Sequence, residues 1–302
     1  MIPPNKRLIA VDTETTGVNV YLGDRPFCFT FCDDEGNTQY FYWKVNPFTR
    51  EVIRNIYDWS SIKYVMENGN ITKIFHNAKF DIGMFKSIGI EVKGTVHDTM
   101  LAAYCLRTNE MTYALKPLSK KYLKFPDTDE KELHDSVKRA RLEGKKLGYK
   151  ISEGNRHGRS PVAADYWLAP KDILVKYAVG DVERTMLLWK VFEEQFKHEP
   201  LCLTTYHKNN LDLIRPIMRM EERGVRVSRQ VVRKAIRRHK KIMAKSLKNV
   251  RQITHPTFNP ASSKQLAHLI YNQLKFTCVD FTETGLPATG SKILRKFNHP
   301  II

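Results

Sequence analysis

An apolar run, Leu8 to Val11, leads directly into Asp12 and Glu14 in the segment RLIAVDTETTG. Such a run reads as a buried strand, and the alternation of side chains along a strand turns Asp12 and Glu14 to the same face. Two carboxylates then share one small patch. Two further acids, Asp81 in HNAKFDIGMF and Asp181 in YAVGDVERT, stand on segments with helical periodicity, and only folding could bring them to the first pair. Hard oxygen ligands of this kind suit Mg²⁺ or Mn²⁺ rather than zinc. The expectation is a two-metal centre that cuts phosphodiester bonds.

Such hydrolysis requires an activated water, neutralised charge in the transition state and help for the leaving 3′ oxygen, all of which two divalent ions supply. Asp12 is the natural bridge between the ions, Glu14 and Asp181 flank the one that carries the water, and Asp81 helps to hold the second. Tyr177 lies one helical turn before Asp181, which places its hydroxyl to orient the attacking water. An unperturbed phenol has a pKa of about 10, so its part is positioning rather than proton removal. Each piece has a plain alternative: a DxE on a strand is common, Asp81 or Asp181 alone is an ordinary helix residue, and Tyr177 alone is a core aromatic. The ordered conjunction of strand, strand–helix and helix is what distinguishes the readings.

The chain has 302 residues, enough for a full core and a second domain. Fifty Lys and Arg against 32 Asp and Glu give a formal charge of +18. That balance attracts polyanions and favours nucleic acid over acidic small molecules, with a merely well-solvated surface as the alternative. The five cysteines, Cys28, Cys32, Cys105, Cys202 and Cys278, form neither a CxxC pair nor a His/Cys cluster, so free buried thiols are expected. The start, MIPPNKRLIAVDT, lacks a basic-then-apolar leader, and no apolar stretch approaches the roughly 18 residues that span a bilayer. A soluble intracellular protein without membrane contact is expected, in the cytoplasm of a bacterium or a virus-infected cell.

Strands are expected at Leu8 to Val11, Phe27 to Cys32, Gln39 to Trp43 and Ile71 to Phe75, giving an α/β fold on a mixed or antiparallel sheet. Helices are expected from about Asn77, over Asp98 to Leu106, over Tyr113 to Leu123, and from Pro170 through Tyr177 and Asp181 to Phe192. Between about 126 and 169 the pattern dissolves into a charged segment with four glycines and one short helix near Asp135 to Leu142. It is either a solvated insertion or a flap over substrate or partner. Beyond Pro200 the periodicity is purely helical: one helix ends at Gly224, and Ser228 caps the next. Thirteen basic residues lie between Arg219 and Arg251, opposed only by Glu221 and Glu222. A basic helix over 228–251 that tracks phosphates is the expectation.

The segments DTETTG, HNAKFD and YAVGD closely resemble the three motifs of the DnaQ-like, or DEDD, 3′→5′ exonuclease superfamily. The YAVGD spacing resembles its tyrosine subtype, since Lys176 stands where the histidine subtype has its histidine. The resemblance implies a ribonuclease H-like mixed sheet flanked by helices. It makes Asp12, Glu14, Asp81 and Asp181 metal ligands and Tyr177 the residue that orients the nucleophilic water. Thr15 and Asn77 are similar to family positions near the 3′-terminal nucleotide. MRMEERGVRVS, FNPASSKQLAHLIYNQLKF and TETGLPATGSKILRKF resemble the start of the thumb in family A DNA polymerases. Residues 1–200 are therefore expected to form the exonuclease domain and 201–302 a smaller, helical, basic partial thumb.

By this resemblance the chain is a proofreading exonuclease that trims a frayed primer 3′ end. No segment resembles the polymerase catalytic motifs, and His97-Asp98-Thr99 and His134-Asp135-Ser136 lack the final acid of the polymerase turn. The exonuclease part of a split or truncated polymerase is expected, with a separate polymerase chain as one partner. Two alternatives remain: an exoribonuclease of the same superfamily, and a non-catalytic DNA-binding or scaffolding module.

Overall fold

The apolar run at the start of the chain forms the middle of a five-stranded sheet in this computed structural model, which describes residues 8–126, 128–152, 162–282 and 285–297. Strand β1 (Leu8–Thr15) pairs antiparallel with β2 (Pro26–Asp33) and parallel with β6 (Thr72–Phe75). Beyond β2 lies β3 (Thr38–Tyr42), and beyond β6 lies β7 (Val96–Asp98). Every residue of β2 is buried, as expected of a strand covered on both faces. A two-stranded hairpin, β4 (Lys44–Val45) and β5 (Val52–Ile53), follows β3.

Alternation along β1 separates two cores. Ile9 and Val11 pack with Phe29, Phe31, Ile62 and Phe85, beneath α1 (Ile56–Glu67) and α2 (Ala78–Ser87). Ala10 faces the other way, with Ile74, Ala102, Val182 and Phe192, beneath α3 (Thr99–Leu106) and α6 (Lys171–His198). The result is a mixed sheet between two helical layers, the α/β arrangement expected. Helix α6 begins one residue after Pro170, which serves as its N-cap. Helix α4 (Leu115–Tyr122) packs on α6.

The described residues between 126 and 169 hold more regular structure than their composition suggests. Helix α5 (Thr128–Lys146) spans nineteen residues, well beyond the short helix expected near Asp135 to Leu142. Its Leu133 and Val137 join Phe27, Tyr166, Trp167 and Leu174 in a third apolar cluster. Asp165, fully buried in the 3₁₀ turn Ala163–Leu168, pairs with both Arg50 and Arg141, tying the segment to the β4–β5 hairpin. Of its four glycines, Gly154 and Gly158 lie outside the described residues.

The chain divides into two units after Gly224. This lies past the boundary near 200 expected from the sequence, and the reason is packing. Helices α7 (Pro200–Thr205) and α8 (Asp212–Arg223) follow α6, and Ile214 and Met218 of α8 are buried in the α2 core. Gly224 stops α8 at a positive φ of 63°. The second unit, taken by itself, is mainly helical. Ser228 caps α9 (Arg229–Ile253), which has no buried residue. Phe258, Leu269, Ile270 and Ile293 are its buried apolar residues among those described, and α10 (Ser263–Ala267) and α11 (Ser291–Leu294) complete its helices of that kind. Among the described residues, no helix is long and apolar enough to cross a membrane.

Candidate active site

Three elements bring the expected acids to one end of the sheet. Asp12 and Glu14 share the face of Ala10 on β1, toward α6, where Asp181 is buried near mid-helix. Gly17 permits the turn that follows the strand, since a Cβ there would fall 2.3 Å from Asp24 Oδ2. Asp81 approaches from the opposite layer, in the first turn of α2, where the helix dipole favours a carboxylate. It accepts a 2.6 Å hydrogen bond from Thr13 Oγ1.

Asp98 fixes the start of α2. Its carboxylate accepts from the backbone amides of Asn77 (3.2 Å) and Ala78 (2.7 Å), and also from Met100 (2.9 Å) and Leu101 (3.1 Å) at the start of α3. One buried side chain thus pins two helix N-termini. Asn77 sits in the left-handed region at φ 72°, its amide side chain free of any capping bond, and lines a groove with Val18, Tyr21, Phe80 and Met218. Thr15 is committed locally: its buried hydroxyl donates to the carbonyl of Gly17 at 2.6 Å.

The charges of the four acids act on one another. Burial, then Asp181, pushes Asp12 up to about 7, against the pull of Lys116. Glu14 is held well above the usual carboxylate range by burial, then by Asp12 and Asp181. Burial and Asp12 likewise raise Asp81, with the Thr13 bond opposing them. Burial raises Asp181 too, opposed by Lys116 and Arg184. The Tyr177 phenol is pushed well above its ordinary value by burial and then by Asp181 and Glu14, so it stays protonated and can donate. Crowded buried carboxylates of this kind gain strongly from a cation.

Two cations already stand there. Lys116 of α4 pairs with Asp181 and, at 2.9 Å, with Asp129 of α5, and lies 4.3 Å from the centre of the Tyr177 ring. Arg184 pairs with Asp129 at 2.8 Å and reaches Asp181 at 3.4 Å. Gly180 leaves room for it, because a Cβ there would sit 2.7 Å from Arg184 Nη1. The donor set suits hard divalent ions, but among the described residues no three acidic, His or Cys side chains converge on a metal position as they stand. Asp181 is turned to Lys116 and Asp81 to Thr13.

Sequence reasoning missed Asp98, Lys116, Asp129 and Arg184. Asp98 carried a signal, an Asp directly before an apolar helix, and Arg184 shares a helical face with Asp181 three residues earlier. Lys116 differs in no local way from Lys120 or Lys121 on the same helix. Lys176, five residues before Asp181, is exposed and pairs with Glu132 at 2.9 Å.

Residues 3–197 match a protein-family model described as 3′–5′ exonuclease. The DNA polymerase DpoZ of Salmonella phage PMBT28 is 25% identical over 301 residues, 97% of this chain and 44% of that protein. The DNA polymerase of Escherichia phage T5 is 28% identical over 266 residues, 80% of this chain and 28% of that protein. The chain thus spans less than half the length of these relatives. Among solved structures, the POL domain of Pol1 from M. smegmatis, in complex with DNA primer-template and dNTP, is similar in fold. Its TM-score is 0.53 at 15% identity, covering 97% of this chain and 41% of that one.

Proposed function

This chain belongs to the 3′–5′ exonuclease family found in family A DNA polymerases, and we propose that it proofreads DNA by removing nucleotides from a primer 3′ end as nucleoside 5′-monophosphates. The observation that carries this reading is the cluster of Asp12, Glu14, Asp81 and Asp181, whose charges act on one another, beside a protonated Tyr177.

Asp12, Glu14, Asp81 and Asp181 would hold two divalent cations, Mg²⁺ or Mn²⁺. When bound, these ions supply water activation and neutralise charge on the phosphate and the leaving oxygen. Tyr177 keeps its proton, so its hydroxyl orients the attacking water by hydrogen bonding. Asp98 sets the start of α2, and with it Asp81, while Thr13 orients that carboxylate. Asn77 is placed on a groove wall, where its unengaged amide would contact the terminal nucleotide. Thr15 would act there chiefly through the turn it holds. The basic helix α9 would grip duplex phosphates without reading sequence. A DNA polymerase, as the partner activity, would generate the mispaired ends.

The test is a 3′-mismatched primer-template digested in Mg²⁺ beside an RNA strand of the same sequence. Release of 5′-mononucleotides from DNA is expected, abolished in Asp12→Ala/Glu14→Ala and reduced about 10²-fold in kcat by Tyr177→Phe with little change in KM. A strong preference for RNA would overturn the substrate assignment. Absence of hydrolysis of either strand would overturn the enzyme.

A further inference from the structure

We infer that Lys116 is an exchangeable internal counterion, which holds Asp181 until a divalent cation takes that carboxylate and then retreats onto Asp129. The inference rests on the metal-binding reading of the carboxylate cluster proposed above, and adds to it a competitor supplied by the chain itself.

The Lys116 side chain is only 10% exposed, and its ammonium contacts Asp181 and Asp129 together. A buried ammonium is costly unless paired, so it rests where negative charge is densest. Its pull is felt at Asp12 and Glu14 as well as at Asp181. Lys116 bonds Asp181 through Oδ1, and a divalent ion drawing on the same oxygen would meet the ammonium at close range. Two cations on one oxygen repel, and the one on a flexible stem is the one that moves.

Asp129 gives that ammonium somewhere to go. Its Oδ2 already accepts from Lys116 and Arg184, while its Oδ1 is buried with no hydrogen-bond partner among the described residues. Arg184 is not the exchanging group. It is held by Asp129 and by the carbonyl of Pro126 at 3.0 Å, and stands at 3.4 Å from Asp181. Arg184 frames the site, whereas Lys116 can leave one carboxylate and keep the other.

If the arrangement open to metal is a minor one, the apparent metal affinity is reduced by its population, and removing Lys116 removes that penalty. Mn²⁺ titration calorimetry without DNA should show Lys116→Met binding about tenfold more tightly than wild type, with Lys116→Arg close to wild type. A lysine that stayed beside the metal would also weaken binding, so crystals of wild type grown in EDTA and in Mn²⁺ provide the second readout. In EDTA Nζ should lie on Asp181 and Asp129, and in Mn²⁺ on Asp129 alone. Mn²⁺ crystals with Lys116 still on Asp181, or a Met variant that binds no more tightly, would overturn the inference while leaving the metal site intact. A wild type that binds no Mn²⁺ brings down the metal reading and this inference with it. Should the Met variant fail to fold, the two wild-type crystals still decide the matter.

Discussion

Thr13 donates its hydroxyl to Asp81 Oδ1 across 2.6 Å, both residues buried, and so joins the middle strand of the sheet to the first turn of α2. Thr13 faces the layer opposite to Asp12 and Glu14, which is how a helix on that side takes part in the same cluster. Thr13→Val keeps the shape and removes the donor, leaving a buried carboxyl without that partner. Urea unfolding at neutral pH should show a loss of about 1–3 kcal/mol. An unchanged unfolding free energy would mean that the bond carries no weight.

Asp98 should matter more than its absence from the ligand set suggests. Asp98→Ala removes the acceptor for four backbone amides at two helix starts, each cap worth about 0.5–2 kcal/mol, so a loss of about 1–4 kcal/mol is expected. Because α2 carries Asp81, Mn²⁺ affinity should fall as well. Asp98→Asn, which keeps an acceptor oxygen, should recover part of both. A variant with unchanged melting and unchanged Mn²⁺ binding would rule out this positioning role.

His97 provides a pH signature. It stacks on Trp189 at 3.9 Å, and burial, with His207 beside it, lowers it to about 4 from an ordinary 6.5. The unfolded chain therefore binds a proton that the folded chain refuses between those values. This contribution is present above pH 6.5 and is lost as pH falls toward 4. His97→Phe keeps the stack and removes the titration, so its stability relative to wild type should improve from pH 7.5 to pH 5 by about 1–2 kcal/mol. Parallel stability curves for the two proteins over that range would contradict it.

Strands β1, β2, β3 and β6 and helices α2, α3, α4, α6, α8 and α9 were legible because periodicity is local. Helix α1 gave no reading: it buries only Ile62 and Met66, and its clearest mark is the Asn55 cap, which accepts from Tyr57 and Asp58 amides. Helix α5 looked like part of a charged loop because Lys, Arg and Glu dominate its outer face, while Leu133 and Val137 meet Phe27 from a distant strand. The end of the first unit was misplaced for a similar reason. Ile214 and Met218 carry an ordinary helical pattern, and only their packing against α2 assigns them to it.

The sequence by itself determined the ingredients of the site: two acids on one face of a strand, two more on helices, and a tyrosine one turn from the last. Spacing along the chain is enough to orient side chains within one element. Tertiary structure alone decided which cations meet those acids. Lys116 reaches Asp181 across 65 positions of chain, Arg184 reaches Asp129 across 55, and Asp98 caps α2 from 20 positions beyond Ala78. Buried charges interact according to distance in space, and that distance is set by how the helical layers pack on the sheet rather than by any local pattern.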